Sequence, residues 1–100
     1  MRIFSLSTLK AFWRKHPNAE NNLRNWYKKI EEREYKTLLE IIQNFSYSDA
    51  VTSDRIVFNI KGNDYRLIAA FNFDFQYCYI KFVGTHKEYD RIDAKAIELY

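Results

Sequence analysis

A short segment of the chain, residues 85–90, reads THKEYD and collects four side chains that can take part in acid–base and charge chemistry. The imidazole of His86 can donate or accept a proton or place a positive charge beside an anion. Lys87 supplies a cation, Tyr89 an ionisable hydroxyl, and Asp90 a carboxylate that can orient a neighbour. A single histidine at a strand exit is more often structural, but the three reactive side chains beside it favour an active-site interpretation.

Two further cations, Lys61 and Arg66, flank a Gly-Asn turn in the segment KGNDYR. The planar guanidinium fork of Arg66 is suited to binding phosphate. The alternative is a sheet-edge arginine that pairs with a carboxylate such as Asp64 or Asp90, and the sequence leaves both interpretations open. Gly62 is explained by a hairpin turn, in which glycine accepts a left-handed backbone, and one glycine does not make a phosphate-binding loop.

These residues lie at or near the ends of three strand-like runs. We therefore predict that these strands position the candidate side chains. The runs are rich in β-branched and aromatic residues and are separated by the turn-forming segments KGND and DFQ. This composition predicts an antiparallel meander with strands at 56–60, 65–73 and 77–83. A small sheet of this kind can present the side chains at its strand ends to a ligand.

Helical spacing of apolar residues dominates the first half of the chain. Pro17 is expected to end the first helix, since the residue before a proline avoids helical dihedral angles. The full prediction is a possible strand at 1–5, helices at 8–16 and 19–35, a short helix or irregular segment at 37–45, a polar loop at 46–54, the meander, and a terminal helix over 91–100. The fold class is α+β, with about four strands in a single domain over residues 1–100.

Composition limits the function classes. No apolar run approaches the roughly twenty residues that span a bilayer, and no signal-peptide pattern is present, so the cytoplasm is the expected compartment. Cys78 is the single cysteine and is expected to be buried in a strand. His16 is the other histidine and falls on a different element from His86, so neither a metal site nor a cofactor is expected.

The net charge of +3 comes from the N-terminal half, where nine basic residues face six acidic ones. Each basic side chain on the two helices is most simply solvated. As a set, they are consistent with an electrostatic footprint on RNA. The helical residues predicted to contact RNA are Arg14, Lys15, Arg24, Lys28 and Lys29.

The segments VFNIKGNDYRLIAAFNF and YCYIKFVGTHKEYD together resemble the HigB toxins of bacterial type II toxin–antitoxin modules. The C-terminal halves of these toxins typically carry a similar Val-Phe-Asn run leading into Gly-Asn and an arginine, and a closing Thr-His-x-acidic-Tyr-Asp. The resemblance covers about the last half of the chain. Carried over by motif position, it implies a site made of Asn59, Lys61, Asn63, Arg66, His86, Lys87, Tyr89 and Asp90.

This resemblance also implies a fold and an activity. The fold is RelE-like, with two N-terminal helices packed on a twisted antiparallel sheet and a short C-terminal helix. The activity is that of an mRNA interferase, a metal-independent endoribonuclease that cuts mRNA on the ribosome and so inhibits translation. The implied partners are mRNA on the ribosome and a cognate antitoxin. DNA is expected to be contacted only through the antitoxin, and no membrane contact is expected.

The residues suit such a reaction, because RNA supplies its own nucleophile in the 2′-OH. Arg66 with Lys61 or Lys87 is expected to stabilise the negative charge of the transition state, and His86 or Tyr89 to transfer protons with Asp90 as the orienting group. The alternative is a non-catalytic RNA-binding or protein-interaction module of the same fold, which needs no His86.

Overall fold

A five-stranded mixed β-sheet forms the centre of the fold, which we describe from a computed structural model for residues 1–99. Its strands are β1 (Arg2–Phe4), β2 (Ser48–Ala50), β3 (Arg55–Ile60), β4 (Tyr65–Asn72) and β5 (Tyr77–Thr85). They stand in the order β1-β5-β4-β3-β2. β1 runs parallel to β5, and the other neighbouring strands are antiparallel.

The helices lie between β1 and β2 in the chain, apart from one short helix after β5. They are α1 (Leu6–Lys15), a 3₁₀ turn (Pro17–Ala19), α2 (Glu20–Glu31), α3 (Leu38–Asn44) and α4 (His86–Tyr89). α1 ends as expected before Pro17, because His16 has the non-helical dihedral angles φ −128° and ψ 75°. No helix within residues 1–99 combines the length and apolar character needed to cross a membrane.

The core lies between the helices and one face of the sheet, and Phe58 is at its centre. The Phe58 ring makes edge contacts with Trp26 of α2 at 5.4 Å and with Phe45 at 5.2 Å between ring centroids. Leu9 of α1 and Leu23 of α2 are also fully buried in this cluster. Alternate strand residues face these helices, which is why β3 and β4 present one apolar face to the core.

The opposite face of the sheet is covered by the segment that follows α4. Arg55, on this face, is buried and donates hydrogen bonds to the main-chain carbonyls of Ala94 at 3.2 Å and Ile97 at 2.8 Å. Its guanidinium also forms an ion pair with Glu98 at 2.8 Å. Lys81 of β5 pairs with the same carboxylate at 2.6 Å, so two cations fix this segment to the sheet.

The structure confirms the α+β class, the meander and the short strand at the start of the chain. It corrects four assignments. The sheet has five strands and is mixed, where about four antiparallel strands were expected. The second helix ends at Glu31, before its expected end at residue 35. The segment 46–54, expected to be a loop, contains the edge strand β2. The C-terminal helix lies at His86–Tyr89, and residues 91–99 form turns and irregular structure instead of the expected helix. Tyr100, the last residue of that predicted helix, lies outside the described residues.

Candidate active site

The turn between β3 and β4 adopts an uncommon backbone that presents Lys61. Lys61 has φ 52° and Gly62 has φ 63°, and the amide of Asp64 donates to the carbonyl of Lys61 at 3.2 Å. The left-handed conformation is easily accepted by glycine but is unfavourable for lysine, and such residues are common at functional sites. The predicted turn is therefore present, and its strained residue is one of the candidate cations.

Helix α4 is fixed directly against this turn. The amide of His86 donates to the carbonyl of Asp64 at 3.2 Å. Within the helix, His86 Nδ1 lies 3.1 Å from Asp90 Oδ2, and both side chains are at least half exposed. Residues four apart share a helix face, so His86 and Asp90 face the same side of α4. The structure thus brings two of the four chemical groups of THKEYD, His86 and Asp90, into direct contact.

Arg66 is the buried cation of this region. Its side chain donates to the carbonyls of Asn63 at 3.1 Å and Tyr65 at 3.2 Å, and its guanidinium carbon lies 5.8 Å from the centroid of the Tyr89 ring. Of the two carboxylates considered as partners, Asp64 lies 4.0 Å from Lys61 and Asp90 pairs with His86. Within residues 1–99 no carboxylate is in ion-pair distance of Arg66, so no carboxylate of these residues neutralises its positive charge.

Gly84, which pairs with Arg66 across β4 and β5, allows a close approach of a supporting ring. A Cβ atom at Gly84 would lie 2.5 Å from Cζ of Phe82. The Phe82 ring in turn lies 6.3 Å from that of Tyr89. Phe82 and Gly84 therefore support Tyr89 beside Arg66. Sequence reasoning missed both, although a glycine inside a strand often marks close approach of another group.

The start of α4 depends on a capping box between Thr85 and Glu88. The Thr85 amide donates to Glu88 Oε1 at 2.9 Å, and the Glu88 amide donates to Thr85 Oγ1 at 3.2 Å. The main-chain hydrogen bond from Thr85 holds the pKa of Glu88 below its ordinary value of 4.5, and His16 and Lys15 add electrostatic attraction. The end of α1 therefore lies close enough to α4 to influence the pKa of Glu88.

This lowered pKa predicts an acid-dependent loss of stability. A carboxyl group whose pKa is depressed by folding stabilises the folded state above its unfolded pKa, and this contribution disappears as the pH falls through the lower folded value. Urea unfolding should therefore show that the wild type loses more stability than Glu88→Gln between pH 5 and pH 3 (about the range over which such carboxyls titrate). Glutamine keeps the capping geometry. Parallel pH curves for the two proteins would contradict this assignment.

Two adjoining depressions lie beside the turn and share Asn59. One, of about 230 Å³, is lined by residues of α2 and β3 that include Lys29 and Lys61. The other, of about 300 Å³, is lined by Tyr47, Asn59, Gly62 and Asn63. Asn59 pairs with Arg66 across β3 and β4, so the predicted asparagines and cations lie in one region. Tyr47 was missed by sequence reasoning, because the surrounding SYSDAVTSD segment gives only a polar loop signal.

The helical cations do not form a single patch at this site. Lys15 lies near Glu88, and Lys29 lines a depression together with Lys61. Arg24 instead pairs with Glu20 at 2.7 Å and stacks over the Trp13 ring at 4.7 Å, within a separate depression on the helices. Arg14 and Lys28 are exposed on α1 and α2. Contact of these residues with RNA stays a prediction.

A metal centre has little support among the described residues. Within residues 1–99, no three His, Cys, Asp or Glu side chains lie together as a possible ligand set. His86 and Asp90 form a pair only. Cys78 is fully buried, and burial raises the pKa of its thiol far above the ordinary value. The arrangement is instead one of cations beside a histidine–carboxylate pair and a tyrosine.

Comparisons with known proteins point to one family. A family model described as HigB_toxin, the RelE-like toxic component of a toxin–antitoxin system, matches residues 19–92. The mRNA interferase toxin HigB of Escherichia coli (strain K12) is 34% identical over 102 residues, which cover 94% of this chain and 92% of that protein. The mRNA interferase HigB of Escherichia coli O6:H1 is 30% identical over 98 residues, covering 92% and 91%. The matched residues 19–92 include the turn, β4, β5 and α4.

Proposed function

This chain belongs to the HigB family of RelE-like toxins of toxin–antitoxin systems, and on that basis we propose that it is an endoribonuclease that cleaves mRNA. The observation that carries the proposal is the buried Arg66 guanidinium, which has no carboxylate partner within residues 1–99 and lies beside Tyr89. A phosphate of the RNA would supply the missing negative charge. Relatives named mRNA interferase support the same activity.

The proposed reaction is an internal transfer at phosphorus that requires no metal. The 2′-oxygen loses its proton and attacks the adjacent phosphorus, and the bond from phosphorus to the 5′-oxygen breaks. The departing 5′-oxygen takes up a proton. The products are an RNA ending in a 2′,3′-cyclic phosphate and an RNA beginning with a 5′-OH. Charge builds up on the non-bridging oxygens, where fixed cations have their largest effect.

The geometry suggests how the roles are divided. Arg66 binds the non-bridging oxygens, and Lys61, on the turn between β3 and β4, adds a second positive charge, with Lys87 of α4 as the alternative. Asp90 accepts a hydrogen bond from Nδ1–H of His86, which leaves the lone pair on Nε2 of the neutral imidazole free to accept the proton of the 2′-OH. The imidazolium that forms can then donate this proton to the departing 5′-oxygen. Tyr89, next to the Arg66 guanidinium, is the second candidate for proton transfer.

The proposal includes the setting in which the toxin acts. Its substrate is mRNA on a translating ribosome in the cytoplasm, where the ribosome orients the strand. A cognate antitoxin protein silences it, and DNA is contacted through that antitoxin. Activity on free RNA is expected to be low, because the protein then lacks the ribosome as a positioning surface.

Replacing the proton-transfer candidates tests the assignment. We expect His86→Gln or Tyr89→Phe to lower the rate of mRNA cleavage on translating ribosomes by about 10- to 100-fold, the lower end of the range for general acid–base groups, because both side chains are partly solvated. The measurement is the rate at which new RNA ends appear in a translation reaction. Lys95→Gln, an exposed change outside the site, serves as the control. Unchanged cleavage by both variants would refute these roles.

The chemistry of the ends tests the proposed function itself. New 5′ ends should require phosphorylation by a kinase before they can be ligated to an adaptor, since the reaction leaves a 5′-OH. Ends that carry a 5′-phosphate would indicate water-mediated hydrolysis and contradict the mechanism. Intact transcripts and normal growth with a soluble, folded wild type would favour a non-catalytic RNA-binding or protein-interaction module.

A further inference from the structure

Tyr47 combines high exposure with an unfavourable backbone conformation. Its side chain is 77% exposed, and its φ of 61° lies in the left-handed region, which a bulky aromatic residue rarely adopts. Such a conformation persists where the surrounding structure enforces it, and it is common at ligand-binding positions. Within residues 1–99, the ring makes no aromatic stacking or cation–π contact. Packing within the domain therefore does not explain why a large ring is held here.

The backbone of Tyr47 is fixed to the strand that leads to the candidate active site. Its carbonyl accepts a hydrogen bond from the amide of Asn59 at 3.0 Å. The next residue, Ser48, is buried, and its hydroxyl donates to the carbonyl of Phe45 at 2.8 Å. The backbone that carries the ring is thus hydrogen-bonded to β3 and followed by a buried residue. A preorganised aromatic group loses little freedom when a planar ligand stacks on it.

The position of Tyr47 relative to Arg66 suits a single nucleic-acid strand. Asn59 lies between them, because it is hydrogen-bonded to Tyr47 on one side and paired with Arg66 on the other. Two strand spacings, about 10 Å, therefore separate the two backbones. Asn63 lies close to both residues: its carbonyl accepts a hydrogen bond from Arg66, and it lines the same depression as Tyr47. A strand whose phosphate contacts Arg66 can thus place a neighbouring base at Tyr47.

We propose that Tyr47, with the amides of Asn59 and Asn63, forms a subsite that stacks and holds one unpaired base of the RNA next to the scissile phosphate. This inference rests on the proposed function and adds the residue that positions the substrate. Aromatic side chains hold unpaired bases through their faces, and asparagine amides can hydrogen-bond to base edges. Lys29 and Lys61, in the adjoining depression, are placed to contact the backbone of the same strand.

Binding of two uncleavable oligonucleotides tests the stacking directly. Hexadeoxyadenylate carries bases but no 2′-OH, and an abasic deoxyribose hexamer carries the same phosphates without bases. We expect Tyr47→Ala to weaken binding of hexadeoxyadenylate about 5- to 150-fold, the range that corresponds to loss of one base–aromatic stack. Binding of the abasic hexamer should be unchanged, and Tyr47→Phe should behave as the wild type. Equal effects on the two hexamers, or no effect on either, would overturn the proposal.

Strain at Tyr47 provides a second readout that a structural role would not produce. Asparagine accepts the left-handed conformation more readily than tyrosine. Tyr47→Asn should therefore keep or raise the melting temperature while lowering cleavage on ribosomes and altering the base preference at the mapped cut positions. Phe75→Ala removes an exposed aromatic ring outside the site, 68% exposed, and should leave cleavage unchanged. A destabilised Tyr47→Asn variant with normal cleavage would contradict the subsite.

The outcomes separate this inference from the proposed function. If the wild type makes no cuts on translating ribosomes, the nuclease proposal fails, whereas the hexamer measurement still decides whether Tyr47 stacks a base. If Tyr47→Ala binds the hexamers normally but is no longer neutralised by the antitoxin, the ring is a protein contact, and the base subsite is wrong.

Discussion

Replacing Arg66 with lysine is expected to lower the rate of mRNA cleavage by about 100-fold or more, the effect of removing a fixed donor from a developing oxyanion. Lysine keeps the charge but loses the planar fork that donates to two carbonyls and faces the Tyr89 ring. A mobile ammonium cannot hold two phosphate oxygens in the same geometry. The measurement is the cleavage rate on translating ribosomes at a temperature at which circular dichroism shows the variant to be folded.

The control for Arg66 is a second buried arginine on the same face of the sheet. Arg55 is buried to a similar extent, but the protein itself satisfies its guanidinium through Glu98 and two carbonyls. Arg55→Lys should therefore leave the cleavage rate of the folded protein unchanged. Equal losses of activity in the two variants would mean that any buried arginine is required for folding. A folded Arg66→Lys protein that cleaves at the wild-type rate would remove Arg66 from the mechanism.

Replacing Arg55 with leucine is expected to lower the free energy of unfolding by about 2–3 kcal/mol, because several hydrogen bonds from a charged group are lost together. The bonds to Ala94 and Ile97 hold the segment after α4 against the sheet. Without them, this segment should separate from a surface that includes the buried Ile68 and Ala70. Urea unfolding measures the change, and hydrogen exchange should show faster amide exchange in residues 91–99.

Glu98→Gln is the control for Arg55→Leu, because it removes only the charge of the ion-pair partner. The Glu98 carboxylate is about half exposed, and hydrogen bonding from Lys81 is the main cause of its lowered pKa. Water can replace much of what an exposed carboxylate contributes, so this variant should lose less stability than Arg55→Leu. Equal losses would show that the ion pair, and not the contacts to the main-chain carbonyls, holds the segment in place.

The sequence predicted the family and the meander, because both depend on local signals. The β3–β4 turn follows from Gly62, whose φ is 63°, and the strands follow from their composition. The edge strand β2 was missed, since Asp49 and Ala50 are exposed and show no strand pattern. It exists through pairing with β3, which is a tertiary effect that local propensity does not contain.

The position of the C-terminal helix shows a different limit. The Thr85–Glu88 spacing is a capping-box signature that could have located the start of α4 from the sequence. Residues 91–99 do not form the expected helix, because the carbonyls of Ala94 and Ile97 accept hydrogen bonds from Arg55 and not from a following helical turn. Ile92 and Leu99 gave an apolar pattern, but these side-chain contacts compete successfully with a helix.

In the candidate active site, too, some features could be predicted from the sequence and others could not. Sequence alone left Arg66 between a carboxylate pair and a phosphate ligand, and only the structure places Asp64 with Lys61 and Asp90 with His86. Tyr47 could not be found from the sequence, because its exposure and its positive φ are properties of the folded chain. The roles of all these residues in cleavage stay predictions until the variants are measured.

The parallel contact between β1 and β5 has a consequence for how the protein is made. Arg2, near the start of the chain, pairs with Tyr77, so the sheet edge closes only after most of the chain has left the ribosome. Contacts between distant parts of a sequence form late in folding. His86 and Asp90 emerge later still, and they complete the candidate active site. The strand β1 therefore stays unpaired until β5 has been made, and the candidate active site, which also needs α4, is among the last parts of the fold to form.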